Sequence, residues 1–286
     1  MMTEVEIFEV GPRDGLQNER RFIPTEKKVA LVDCLSRAGF RRIEVASFVS
    51  PKWVPQMADS GDVLRQITRA GGVSYAALTP NLMGLNAALA ARADEVAIFA
   101  SASEGFSRAN LNCSIAESLN RFVPVMQAAE QAGIPVRGYI SCVTDCPYDG
   151  PTPPAEVARL AGQLSAMGCY EISLGDTIGK AVPESIAAML RAVLDEVPAG
   201  RLAGHFHDTG GMALANIEAS LAQGVRVFDA AVGGLGGCPY APGASGNVAT
   251  ELVHEWLTGM GWRTGLNREV LAQAARMARD LCHGED

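Results

Sequence analysis

The chain has 286 residues, of which 48% are apolar and 20% charged, with a net charge of −8 and a pI of about 5.1. That balance excludes extensive disorder, which requires few apolar residues and a high charge density. The absence of a basic run or basic-aromatic stripe excludes a nucleic-acid surface, and no apolar run approaches the roughly 18–20 residues needed to span a bilayer.

Met1-Met2-Thr3-Glu4 leads at once into a β-branched, apolar run over 5–10. It lacks both the basic-then-apolar order of a secretion signal and the Arg-rich stretch of a transit peptide, so a cytoplasmic location is expected. From there the pattern alternates. Helical periodicity over 25–39 precedes a strand at 42–47, and strands at 73–78 and 95–100 flank a helix over 81–92. Helix 114–133 leads to strand 136–141, helix 153–168 to strand 170–175, and helix 183–197 to strand 202–207. Helix 211–224 and strand 226–231 follow, and helical stretches over 247–259 and 267–281 close the chain. Gly39, Gly133, Gly168 and Gly224 stand where helix C-terminal caps belong.

Eight apolar strands alternating with helices imply a parallel sheet covered by helices. The count and the length predict a (β/α)8 TIM barrel with an extra C-terminal helix, as one catalytic domain over 1–286. Seven cysteines without a spacing framework read as reduced thiols. Cys142 and Cys146 lack the second pair that a structural zinc site needs.

Chemistry-bearing residues recur at the strand ends, where barrel enzymes place their active sites. His205 and His207 lie two apart in an apolar strand and so share one face. Two imidazoles on one face are a metal-ligating arrangement; the plain alternative is a pair of hydrogen-bonded core histidines. Arg13 and Asp14 leave the first strand between Gly11 and Gly15, and both serve one site only if the turn twists the chain there. Glu44 sits among apolar neighbours and needs a partner if buried, for which Arg13 is the candidate. Asp176 ends the sixth strand, as an active-site carboxylate or as the cap of the following turn. Residues 233–247 carry six glycines around Cys238 and end at Asn247, which reads as a loop over the barrel mouth. The order of these glycines fits neither a dinucleotide fingerprint nor a P-loop.

Residues 11–19, 47–57, 173–179 and 234–247 together resemble the 3-hydroxy-3-methylglutaryl-CoA lyases, metal-dependent (β/α)8 enzymes of the isopropylmalate synthase-like superfamily. The resemblance implies cleavage of that thioester to acetoacetate and acetyl-CoA. It implies Asp14, His205, His207 and Asn247 as ligands of a divalent cation, for which nitrogen and oxygen donors without thiolate favour Mg²⁺ or Mn²⁺. By the same resemblance Arg13, steadied by Glu44, stabilises an enolate oxygen, Cys238 joins in proton transfer, and Asp176 and His205 lie near the reacting groups. Lys52, Arg108 and Asn110 are candidate contacts for CoA, with solvated surface positions as the alternative.

A homodimer is expected on the same ground. Thr209-Gly210-Gly211-Met212 departs from the family, which usually has Tyr after the Thr and a polar residue near Met212. That departure leaves a bulkier 3-hydroxy-3-alkylglutaryl-CoA open as substrate. A condensing synthase of the same superfamily and a metal-binding protein without catalysis are the other readings.

Overall fold

The computed structural model describes residues 4–19, 21–236 and 246–283. Its eight expected strands form a closed parallel barrel: β1 (Glu6–Glu9), β2 (Arg42–Ser47), β3 (Ser74–Leu78), β4 (Glu95–Ser101), β5 (Val136–Ser141), β6 (Glu171–Asp176), β7 (Leu202–Phe206) and β8 (Val227–Ala230). Each pairs with its chain neighbours and β8 closes onto β1, with Phe8 opposite Asp229 and Asp229 opposite His205. The strand ends fall within one residue of the sequence expectation.

The outer layer comprises α1 (Thr25–Ser36), α2 (Ser60–Gln66), α3 (Leu82–Ala90), α4 (Glu104–Leu111), α5 (Ile115–Ala132), α6 (Pro154–Ala166), α7 (Pro183–Leu194), α8 (Ala213–Ala222), α9 (Thr250–Gly259) and α10 (Arg268–His283). Short helices α2 and α4 escape periodicity because neither is long enough to repeat an apolar stripe. In contrast, α5 is written plainly: Ser114 and Glu117 form a reciprocal capping box and Gly133 ends the helix in the left-handed region. Helix α9 starts at Thr250 rather than at 247, because Asn247 is drawn into an antiparallel bridge with His207. None of the described helices is long and apolar enough to cross a membrane.

The apolar core lies between barrel and helices, where Leu31, Leu35, Leu164, Ile172 and Ile217 are buried. Much of the barrel interior is ionic instead. Arg42 meets Glu6 at 2.6 Å and Glu171 at 3.0 Å. Arg137, 1% exposed, meets Glu171 and Asp229 at 2.7 Å each and donates to Tyr139 Oη at 2.9 Å. Arg42, Arg137, Glu171 and Asp229 each have more than one partner, the condition under which buried charge is tolerated.

Candidate active site

The first strand opens into a wide helical turn over Gly11–Gly15, in which the Val10 carbonyl receives the N–H groups of Arg13, Asp14 and Gly15. This π-type winding brings adjacent side chains to one place, which an extended strand does not allow. Arg13 Nη1 consequently lies 2.6 Å from Asp14 Oδ1, and the guanidinium also grips Glu44, with Nε donating to Oε2 at 2.7 Å. Glu44 is fully buried and accepts a further hydrogen bond from Tyr139 Oη at 3.2 Å. Burial works against the Arg13 charge, but Glu44 and Asp14 outweigh it and keep the guanidinium protonated. The side chain is thus fixed from behind by a carboxylate, beside the ring of Tyr139 at 5.5 Å.

His205 and His207 share a face as their spacing requires, with ring centroids 5.4 Å apart. His205 Nδ1 meets Asp229 Oδ2 at 3.1 Å, and its Nε2 faces Asp14 Oδ2 at 3.8 Å. An ionised carboxylate only accepts, so Asp229 holds the proton on Nδ1 and leaves Nε2 for the site. His207 Nδ1 is buried and has no hydrogen-bond partner among the described residues. Burial, then the neighbouring imidazole, push His207 down to about 4, so its ring is neutral near pH 7 and available as a donor. Burial would raise Asp14, but Arg13 and the two imidazoles bring it down to about 2. Asp14 also accepts from Gln17 at 2.9 Å and from Asn247 Nδ2 at 2.8 Å.

Donor atoms of Asp14, His205 and His207 all lie within 4.8 Å of one another, which among the described residues is the one such group. The unpartnered His207 nitrogen and the mixed nitrogen–oxygen set fit a divalent cation. Gly236 backs this group with a φ of 95°, where a Cβ would stand 2.9 Å from the Asn247 amide nitrogen. The chain passes close to this donor group because no side chain is there. His207→Ala is expected to leave the fold intact and abolish stoichiometric binding of Mn²⁺, read by metal analysis of the purified protein. A full equivalent of bound metal in that variant would contradict a ligand role.

The group sits at the floor of a cavity of about 760 Å³ at the C-terminal end of the barrel, which Arg13, Tyr139, Thr177 and Asn247 also line. Asn110 stands on its wall; Lys52 and Arg108 do not, although their neighbours Trp53 and Ala109 do. Arg108 is exposed and lies 3.8 Å from Glu104. Asp176 is not brought to the cavity. Gly175 and Thr177 line it, so the residue between them faces the helices, where Asp176 accepts the N–H groups of Lys180 and Ala181 at 3.2 and 3.0 Å. Burial raises its carboxyl to about 6 there. Cys238 lies outside the described residues.

Gly210 does not line the cavity either. Its N–H donates to the Gly179 carbonyl at 3.1 Å, and a Cβ would come within 2.8 Å of that oxygen. Gly210 therefore stands at a close approach of two loops. Asp229, Arg137, Tyr139 and Gln17 escaped the sequence reading. Asp229 had a signal, an acid inside the apolar run Val227-Phe228-Asp229-Ala230, of the same kind that singled out Glu44.

Known proteins resemble the chain along nearly its whole length. The 3-hydroxy-3-isohexenylglutaryl-CoA/hydroxy-methylglutaryl-CoA lyase of Pseudomonas aeruginosa is 58% identical over 273 residues, covering 96% of this chain and 91% of that protein. The HMG-CoA lyase structure from Brucella melitensis matches with a TM-score of 0.97 at 58% identity, over 98% of this chain and 99% of the other. An HMG-CoA lyase from Acinetobacter baumannii, solved in complex with coenzyme A and 3-methylmalate, matches with a TM-score of 0.92 at 38% identity, over 98% and 91% of the two chains. The HMGL-like family pattern extends from residue 4 to residue 278. With the family pattern over nearly the whole chain and a relative 58% identical over 96% of it, the chain belongs to the HMGL-like family.

Proposed function

We propose that the chain is a divalent-cation-dependent carbon–carbon lyase that cleaves 3-hydroxy-3-methylglutaryl-CoA into acetoacetate and acetyl-CoA. The observation that carries this reading is Arg13 standing beside the Asp14, His205 and His207 group on one cavity. The bond that breaks joins the thioester α-carbon to the carbon bearing the tertiary hydroxyl. The hydroxyl loses its proton and becomes the keto oxygen of acetoacetate. The electron pair passes to the α-carbon and the thioester oxygen as an enolate, and a proton then completes acetyl-CoA.

Two developments of charge need help. When bound, the cation supplies Lewis-acid polarisation of the substrate hydroxyl and carboxylate oxygens. Asp14, His205 and His207 would hold it, with Mg²⁺ or Mn²⁺ suited to the donor set. Asn247 would join them through its amide oxygen. Arg13 provides the second help: a guanidinium already locked by Glu44 meets the enolate oxygen without reorganising. Asn110 would touch the pantetheine arm, and Lys52 and Arg108, exposed next to wall residues, would meet CoA phosphates.

The test is formation of acetyl-CoA by chelator-treated protein, with and without added Mg²⁺ or Mn²⁺. Product is expected only with the cation. No product in either condition would leave a metal-binding protein without this activity. A panel that adds the 3-isohexenyl substrate and acetyl-CoA plus a 2-oxo acid, compared by kcat/KM, separates the bulkier lyase and the condensing synthase. Assembly as a homodimer rests on the resemblance and is read by light scattering in solution.

A further inference from the structure

Glu9 ends β1 on the side facing away from the barrel interior, fully buried, and plays no part in the chemistry above. Its Oε1 accepts the N–H groups of Gly11 at 2.8 Å and Val232 at 2.9 Å, and its Oε2 accepts the Thr250 hydroxyl at 2.7 Å. These three partners open three different segments. Gly11 starts the turn that carries Arg13 and Asp14. Val232 starts the turn that runs to Gly236 behind Asn247, and Thr250 starts α9 three residues beyond Asn247.

The contacts are close. A Cβ on Gly11 would stand 2.6 Å from Glu9 Oε1, so the turn is pressed directly against the carboxylate. Glu251 continues the arrangement by accepting the Gly233 N–H at 3.0 Å. Burial, the largest influence on Glu9, raises its carboxyl to about 7 despite these donors. A carboxylate in that position carries a desolvation cost that an apolar side chain would not, yet an apolar side chain could not collect two backbone N–H groups and a hydroxyl.

We infer that Glu9 is a positioning residue, the common anchor that sets the spacing between the Arg13–Asp14 turn and the Asn247 segment, and through it the geometry of the cation site. The inference rests on the cation reading above. It concerns the outer support of the site, since Glu9 touches none of the four expected ligands. Removal of the carboxylate leaves the two backbone N–H groups unpaired and lets the segments separate. Glutamine keeps the anchor, because its carbonyl oxygen accepts both N–H groups and its amide donates to Thr250.

Mn²⁺ titration of the purified full chain, with folding checked by circular dichroism, tests this alongside steady-state cleavage. Glu9→Gln is expected to retain Mn²⁺ affinity within about threefold, and Glu9→Ala to weaken it at least tenfold at a temperature where the variant is fully folded. In Glu9→Ala, kcat should fall at least tenfold while KM for the thioester stays within about threefold, since substrate-binding surfaces away from the cation are unchanged. If Glu9→Ala does not fold, Thr250→Val removes a single contact to the same carboxylate and should weaken Mn²⁺ binding at least threefold. Folded Glu9→Ala, or Thr250→Val where that variant is needed, with wild-type affinity overturns the anchor role. Failure of Glu9→Gln to preserve affinity overturns it as well. A wild-type chain that binds no Mn²⁺ sinks the cation reading itself, and this inference with it.

Discussion

Replacing Arg13 with methionine is expected to lower kcat by about 10²–10³-fold, the loss usual when a preorganised donor to a developing oxyanion is removed. Metal content should remain that of the wild type, because Arg13 is outside the donor group. The substitution has a second consequence. Glu44 is fully buried, and its Oε1 already lacks a partner among the described residues, so loss of the guanidinium strands a carboxylate at a cost of about 3–5 kcal/mol. Adding Glu44→Gln in the same chain removes that charge and should recover most of the melting temperature without recovering turnover. Turnover restored together with stability would mean that Arg13 acts on the fold rather than on the reaction. Wild-type turnover in Arg13→Met alone would remove it from the mechanism.

Asp229→Asn should weaken divalent-cation binding by about 10–100-fold, the usual effect of altering the group that orients a ligating histidine. Asp229 collects two bonds from Arg137, at 2.7 and 3.0 Å, one from Ser173 at 2.8 Å, and the His205 contact. Loss of its charge also leaves Arg137 short of a counterion, so global stability at pH 7 should drop by about 3 kcal/mol. The pH dependence has a defined sign. Burial disfavours the Asp229 charge, but Arg137 and His205 outweigh that and hold its carboxyl well below its ordinary 3.8. The unfolded chain therefore takes up a proton near 3.8 that the native chain refuses. The stabilisation is present in full above that value and is lost as pH falls toward the native one. The melting deficit of Asp229→Asn should accordingly be largest near neutrality and shrink between pH 4 and pH 2. A deficit constant over that range would exclude the charge as its source.

These two residues also mark how far the chain could be read without its fold. Arg13 was legible as a candidate because its motif stands between two glycines at a strand end, and its pairing with Glu44 followed from the cost of an unpaired buried acid. That both Arg13 and Asp14 enter one site was not legible. It depends on a π-type turn whose only sequence trace is Gly11-Pro12 and Gly15. Asp229 was missed, and Asp176 stayed open between the site and a turn cap, for one shared reason. Strands of a closed parallel barrel are buried on both faces, so hydrophobicity does not say which parity looks inward. Asp229 looks inward to His205, while Asp176 looks outward to the α7 approach.

What the sequence by itself determined was the alternation of eight strands with helices, the common face of His205 and His207, and the clustering of reactive residues at the strand ends. All of these follow from local periodicity, from caps and from side-chain spacing along one segment. Tertiary structure alone decided the inward or outward choice at Asp229 and Asp176, the filling of the barrel by an Arg–Glu–Asp network, and the three-way hold of Glu9. Those depend on contacts between residues far apart in the chain, such as Glu9 with Thr250 and Arg137 with Asp229. Barrel closure brings such pairs within hydrogen-bond reach, and no period in the chain records it.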